Sequence, residues 1–382
     1  MTAQRKARGI EGIGQLLIVG FDSTEMTPRL SSLLTNLQPA GIILFARNIQ
    51  TAEQTWRLLR KCQECVATAL FTCVDLEGGA VDRFRDMLGA APSAADVFAT
   101  GDRRLFRKHG HLIGENCRAL GFNVDFAPVL DLGFEASRAV MGSRAVSADP
   151  RETITYARDF IDGLRAAKVL GCGKHFPGLG EGTLDSHHEL PVIDKPLQKL
   201  WTEDLLPYRT LRRQLPFVMV SHGAYPQVTR DRTPASLSKV WITDILHKKI
   251  GYRNLIVSDD LEMGGVLSAA PIGEAAAEFV RAGGDLGLIC HREDYILQAH
   301  EELIRTAERD SKFARRVEEA ARRVLAFKKK FAQTLRAGGS ARATRGPSGA
   351  MIEKLSRRLW EFGEQVRLEP FGRRADRRRV RS

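Results

Sequence analysis

Eight short apolar runs recur along the chain, most of them separated by stretches in which apolar residues return every three or four positions. The runs are LLIVGF (16–21), GIILF (41–45), FTCVD (71–75), NVDFAP (123–128), GCGKH (171–175), FVMVSH (217–222), LIVSDD (255–260) and LGLIC (286–290). Their shortness and β-branched and aromatic content predict buried strands. Between them, residues 51–67, 103–120, 152–167, 238–250 and 273–282 carry the period of amphipathic helices. Alternating strands and helices predict a parallel sheet, and eight such units close a TIM-type (β/α)8 barrel. An open doubly wound sheet is the alternative. It would place a glycine-rich phosphate turn after its first strand, where this chain reads VGFDSTEM.

Residues 292–309 and 311–331 read as closing helices, and LRAGGSARATRGPSG (335–349) as a linker by composition. Residues 350–368 form a C-terminal helical extension, with Met351, Leu355, Leu359, Phe362 and Val366 near one face. That face is expected to pack on the barrel or on a second chain. The last residues, 372–382, are expected to be disordered. The domain reading is therefore a barrel over residues 1–335 and an appended linker, helix and basic tail over 336–382. The formal charge of +12 belongs mostly to this appendage, which holds 13 Lys/Arg against 5 Asp/Glu and leaves only +4 for the rest. Charge thus says little about the barrel's partner, and no aromatic residues interleave the tail arginines as a nucleic-acid surface would require.

The apolar run near the N-terminus is short and broken by Gly12, Gly14 and Gln15, so it reads as a first strand and not as a signal peptide. No apolar stretch approaches the ~20 residues that span a bilayer. Six scattered cysteines, with one CxxC (Cys62 and Cys65) inside a helical pattern, predict reduced thiols and a cytosolic chain.

Asp75, His175, His222 and Asp259 each end a different strand candidate. In a barrel those ends converge on the face where catalytic residues gather. After the fifth strand comes KHFPGLGEGTLDSHHELP (174–191), whose Gly178, Gly180 and Gly182 suit a mobile loop. Within it, Asp185 can accept the N–H of His187 and fix its tautomer, as in a catalytic dyad. Asp259 could serve as a nucleophile. A metal site drawn from His175, Asp185, His187 and His188 is the alternative chemistry, though no His-x-His on a strand supports it.

KHFPGLGEGTLDSH closely resembles the signature of the single-domain bacterial β-N-acetylglucosaminidases of glycoside hydrolase family three. GIILFARNI (41–49), VDLEGGAVDRFR (74–85), NVDFAPVLDL (123–132), VMGSRAVSADP (140–150) and VSDDLEMGG (257–265) follow in the family's order, so the resemblance covers most of residues 13–330.

The resemblance implies Asp259 as nucleophile, His187 as general acid/base and Asp185 as its partner. It also implies a sugar-binding set of Asp75, Arg83, Arg144, Lys174 and His175. Strand alternation agrees that only one of Asp259 and Asp260 faces the mouth. The implied reaction is hydrolysis with retention of a terminal β-linked N-acetylglucosamine, on peptidoglycan fragments, without a metal or other cofactor. A histidine in place of the second carboxyl leaves phosphate open as an acceptor. Leu179 stands where the family often has histidine, and Ala80 where it often has arginine. A β-glucosidase of the same family and a catalytically inactive sugar-binding sensor are the remaining alternatives, and neither the oligomeric state nor the exact muropeptide follows from the sequence.

Overall fold

The computed structural model describes residues 12–181, 190–335 and 346–379. Eight parallel strands close a barrel: β1 (Leu17–Val19), β2 (Gly41–Ile43), β3 (Phe71–Val74), β4 (Val124–Asp125), β5 (Leu170–Phe176), β6 (Phe217–Val220), β7 (Leu255–Asp260) and β8 (Leu286–Ile289). Closure comes from β1, which pairs Ile18 with Gly41 of β2 and Leu17 with Gly287 of β8. All eight strands lie at runs marked by the hydrophobic pattern. The fourth is shorter than its apolar run, and the Ala127–Pro128 bond beyond it is cis.

Outer helices follow each strand: α1 (Pro28–Leu37), α2 (Ala52–Glu64), α3 (Arg103–Leu120), α4 (Pro150–Ala166), α5 (Leu205–Leu211), α6 (Val240–Lys249, wound as a π-helix), α7 (Ile272–Ala282) and α8 (Glu293–Arg309). Local chemistry fixes their ends. Thr51 caps α2 by accepting the Gln54 N–H, Asp102 caps α3 through the Arg104 N–H, and Asp149 with Pro150 opens α4. Gly121, at φ 98°, ends α3 in the left-handed conformation that glycine adopts most readily.

The barrel interior is filled with side chains, among them Ile18, Ile43, Cys73, Val124, Cys172, Met219, Val257 and Leu288. At the N-terminal end of the strands the next helix, α9 (Ser311–Lys330), closes the floor. Its Phe327 meets Phe71 and Phe217 with centroids 6.1 and 5.3 Å away. Lys328 is buried beside them, donating to Gln15 Oε1 (2.8 Å) and Thr68 Oγ1 (3.0 Å), and burial pushes its amine down to about 7. With the floor sealed, access is left to the opposite face.

The C-terminal extension docks on the barrel. Helix α10 (Gly349–Arg379) buries Leu355, Leu359, Phe362 and Val366 in the main core. It runs antiparallel to α3: Arg358 pairs with Glu115 (2.7 Å), Phe362 stacks on His109 (centroids 5.7 Å) and Lys108 donates to Gln365 (2.8 Å). Met351, expected on the buried face, is exposed instead, and its neighbour Ile352 packs against the core. The backbone stays helical through Arg379, so the tail expected to be disordered is helical over 372–379, in keeping with the good helix propensity of arginine and alanine. All six cysteines are free thiols. No helix of the described residues is long and apolar enough to cross a membrane.

Candidate active site

The strands' C-terminal ends and the loops beyond them enclose a cleft of about 190 Å³. Asp75, Arg83, Arg144, Lys174, His175 and Asp259 all line it, so six of the eight residues expected from the sequence converge on one cavity. The other two, Asp185 and His187, lie in residues 182–189, outside the described part of the chain.

An ionic network forms one wall. Lys174, at the end of β5, is buried and places Nζ 2.7 Å from Asp75 Oδ1 and 2.6 Å from Glu77 Oε1. Arg144 approaches Glu77 as a fork, with Nε on Oε2 and Nη2 on Oε1, both at 2.8 Å. Burial would raise the Glu77 carboxyl, but Lys174 and Arg144 outweigh it and hold it well below the usual carboxylate range. The same carboxylates, against the opposing effect of burial, push the Lys174 amine upward. Glu77, Lys174 and Arg144 therefore stay charged across the physiological range.

His175, next to Lys174 across a cis peptide, also faces the cleft. Its ring is held by Asp131, which is buried. Asp131 Oδ2 accepts from His175 Nδ1 (2.6 Å) and from the His175 backbone N–H (3.0 Å), while Oδ1 accepts from the Leu179 N–H (2.7 Å). A carboxylate on Nδ1 fixes a proton there and turns Nε2 toward the cleft, where Arg144 Nη2 stands 3.5 Å away.

Asp259 and Asp260 end β7, and both line the cleft. This corrects the expectation that alternation would turn Asp260 away, since the strand ends here and its last residues leave the strict two-residue period. The two carboxyls titrate apart. Burial would raise Asp259, yet the imidazoles of His175 and His222 and the Asp260 N–H on Oδ1 (2.9 Å) hold it below the ordinary value. Burial pushes Asp260 up to about 7, helped by Glu262 and Asp259. Asp259 is the more acidic of the pair, which suits a nucleophile. His222, buried under β7, donates or accepts through Nδ1 with Ser236 Oγ (2.7 Å) and meets the Asp260 carbonyl with Nε2 (2.8 Å), so it braces the pair.

The glycines before residue 182 serve packing. A Cβ on Gly178, at φ 132°, would stand 2.8 Å from Asp204 Cβ, and one on Gly180 would stand 2.6 Å from the Leu132 carbonyl oxygen. The Gly178 carbonyl accepts from Tyr225 Oη (2.6 Å). The loop therefore leaves β5 on a packed base.

Glycosyl hydrolase family 3 N terminal domain matches residues 10–327 of this chain. The chain belongs to glycosyl hydrolase family 3. Proteins named Beta-hexosaminidase are its relatives: one from Bordetella parapertussis is 36% identical over 302 residues, covering 77% of this chain and 84% of its own length. Another, from Haemophilus influenzae, is 36% identical over 293 residues, covering 75% and 82%. Among solved structures, a family 3 β-N-acetylglucosaminidase from Paenibacillus superposes with TM-score 0.83 at 30% identity, covering 95% of this chain and 69% of the other. NagZ from Neisseria gonorrhoeae, solved with N-trifluoroacetyl-D-glucosamine, gives TM-score 0.69 at 29% identity, covering 89% and 98%.

Within this family 3 barrel the sequence reading missed Glu77, which joins Lys174 and Arg144, and Asp131, which holds His175. Glu77 carried a signal, an acid two residues after Asp75 in DLEGG, where an extended segment returns to the same face. Asp131 carried none, because its partner His175 lies 44 residues away. Leu179, which stands in place of a frequent histidine, is buried and lines the cleft. Of the candidate metal ligands only His175 is among the described residues, and its Nδ1 is taken by Asp131. Among the described residues no three His, Cys, Asp or Glu gather as a metal site.

Proposed function

We propose that this glycoside hydrolase is a retaining exo-β-N-acetylglucosaminidase, acting in the cytosol on the terminal β-linked N-acetylglucosamine of peptidoglycan fragments. The observation that carries the reading is the pair of neighbouring carboxyls at the end of β7, of which Asp259 is held below and Asp260 pushed above the ordinary carboxylate value, inside a cleft lined by polar sugar-binding groups. The names of the family relatives supply the sugar.

In this reading Asp259 attacks the anomeric carbon while His187, oriented by Asp185, protonates the departing oxygen. The C1–O bond breaks and an Asp259 ester to C1 forms. His187, now neutral, takes a proton from water as the water attacks C1 and frees Asp259. Asp75, Arg83, Arg144, Lys174 and His175 hold the sugar's hydroxyl and acetamido groups. No cofactor takes part. Residues 1–335 form the catalytic unit and residues 336–382 an appendage to it.

The test is release of p-nitrophenol from the β-N-acetylglucosaminide and the β-glucoside, with Asp259→Ala and His187→Ala alongside. Turnover of the N-acetyl substrate alone, resistant to chelator and abolished by Asp259→Ala, is expected. Sugar phosphate as product in phosphate buffer would reassign the acceptor, and loss with chelator would overturn the metal-free mechanism.

A further inference from the structure

Helix α10 lies beyond residue 327, where the match to the family domain ends, yet it touches a side chain on which the ionic wall of the cleft rests. Glu77 belongs to a hairpin in which Leu76–Gly78 pairs antiparallel with Val81–Asp82. Its carboxylate meets Lys174 and Arg144, and the next residue, Gly78 (φ 84°), lies against His109 of α3. A Cβ on Gly78 would collide with the Pro92 carbonyl oxygen and stand 3.2 Å from His109 Nε2. Gly79 donates to the Ala91 carbonyl (3.0 Å), and Asp82 Oδ2 accepts from the Ala91 N–H (2.9 Å). The hairpin is thus fastened to the segment between two short helices, Arg85–Leu88 and Ala94–Ala99. Both of these pack against α10.

The His109 ring is boxed. Phe362 of α10 stacks on it at 5.7 Å with an interplanar angle of 29°, Phe160 meets it edge-on at 5.2 Å, and Tyr156 Oη stands 2.8 Å from Nδ1. All four side chains are buried. Burial draws the imidazole down to about 3, so the ring is neutral at physiological pH and acts by its shape. Its Nε2, the atom nearest Gly78, has no hydrogen-bond partner among the described residues, so packing alone holds that edge. Close-packed interiors transmit strain, and a cavity opened on one face of the ring frees the other. Phe160 and Tyr156 come from α4 of the barrel. The stacked face is supplied by the appended helix.

We propose that α10 is a positioning element for sugar binding: Phe362, through His109 and Gly78, holds Glu77 where it sets Lys174 and Arg144. The docked helix and the occupied cleft then stabilise each other. The inference takes its ligand, N-acetylglucosamine, from the glycosidase reading above, and it gives the C-terminal appendage a part in the site.

The experiment measures N-acetylglucosamine binding by calorimetry and amide hydrogen exchange by mass spectrometry, on the full chain at a temperature where each variant is folded. Phe362→Ala is expected to raise the Kd about fivefold, and Phe362→Leu, which keeps apolar volume without the stacked ring, about twofold. Leu303→Ala, a buried truncation in α8, where the neighbours are α7 and α9, is expected to lower Tm and leave the Kd unchanged. In the wild type, saturating sugar is expected to slow exchange over residues 352–366 about fivefold, since coupling between two sites is reciprocal. An unchanged Kd in Phe362→Ala or, should that variant not fold, in Phe362→Leu overturns the inference. So does an equal loss of affinity in Leu303→Ala, or exchange in α10 that ignores the sugar. Absence of binding by the wild type would bring down the glycosidase reading, and this inference with it.

Discussion

Glu77 sits between Arg144 and Lys174, receiving a two-pronged contact from the first and a single 2.6 Å contact from the second, with almost none of its side chain exposed. One carboxylate thus sets the positions of two cations that line the cleft. Removing it leaves the buried Lys174 with only Asp75 and takes from Arg144 its two-pronged partner. Glu77→Gln is expected to destabilise the fold by about 3–5 kcal/mol, the usual cost of breaking a buried ion pair from one side, and to lower kcat/KM at least tenfold. Chemical denaturation and steady-state kinetics on the same preparation test both.

The same residue gives a pH signature. Its folded-state pKa lies below the unfolded value of about 4.3, so its stabilisation is complete above that pH. As pH falls below about 4.3 the unfolded state takes up the proton first, and the stabilisation is lost progressively. Thermal scans from pH 3 to 6 should show the wild type losing stability more steeply than Glu77→Gln. Parallel curves would count against an ionised Glu77.

Asp260 has the opposite sign. Its carboxyl is pushed up to about 7, above the unfolded value of about 3.9. Between those pH values the unfolded chain gives up the proton and the folded chain keeps it, so the destabilisation grows as pH rises and is complete above 7. Asp260→Asn, which keeps the oxygen that accepts from the Glu262 N–H (3.1 Å in the native protein), should raise Tm at pH 8 by roughly 2–4 °C and leave it unchanged at pH 4. No gain at pH 8 would remove the argument for a protonated Asp260.

Asp131 supplies three acceptor contacts to two residues. In Asp131→Ala the buried N–H groups of His175 and Leu179 lose their partner, at about 1–3 kcal/mol each. The His175 tautomer is no longer set, so kcat/KM is expected to fall while Asp131→Asn retains part of it. Proton NMR of the His175 Nδ1–H, present in wild type and absent in the alanine variant, reports the tautomer directly.

Phe362 is fully buried between α10 and His109 of α3. Phe362→Ala is expected to cost about 3–5 kcal/mol, read as a lower Tm and earlier proteolysis after residue 345. A variant as stable as wild type would mean that the helix is not docked in solution.

Much of this protein was legible in order along the chain. Eight apolar runs separated by helical periods dictated a barrel, since each amphipathic helix can bury its stripe only against the strands flanking it in sequence. Strand-end residues converge in any barrel, so Asp75, His175 and Asp259 could be assigned to one site before any distance was known, whereas His222, expected with them, is buried against the Asp260 carbonyl and does not line the cleft. Tertiary structure decided what depends on separation in sequence. It placed Asp131 on a histidine 44 residues further along, made Glu77 the shared partner of two cations, and brought Phe45 beside His291 across the barrel seam. It also seated α10 on α3. Periodicity records which face of an element is apolar. The partner of a buried charge is chosen by distance and desolvation, which exist only once the chain has folded.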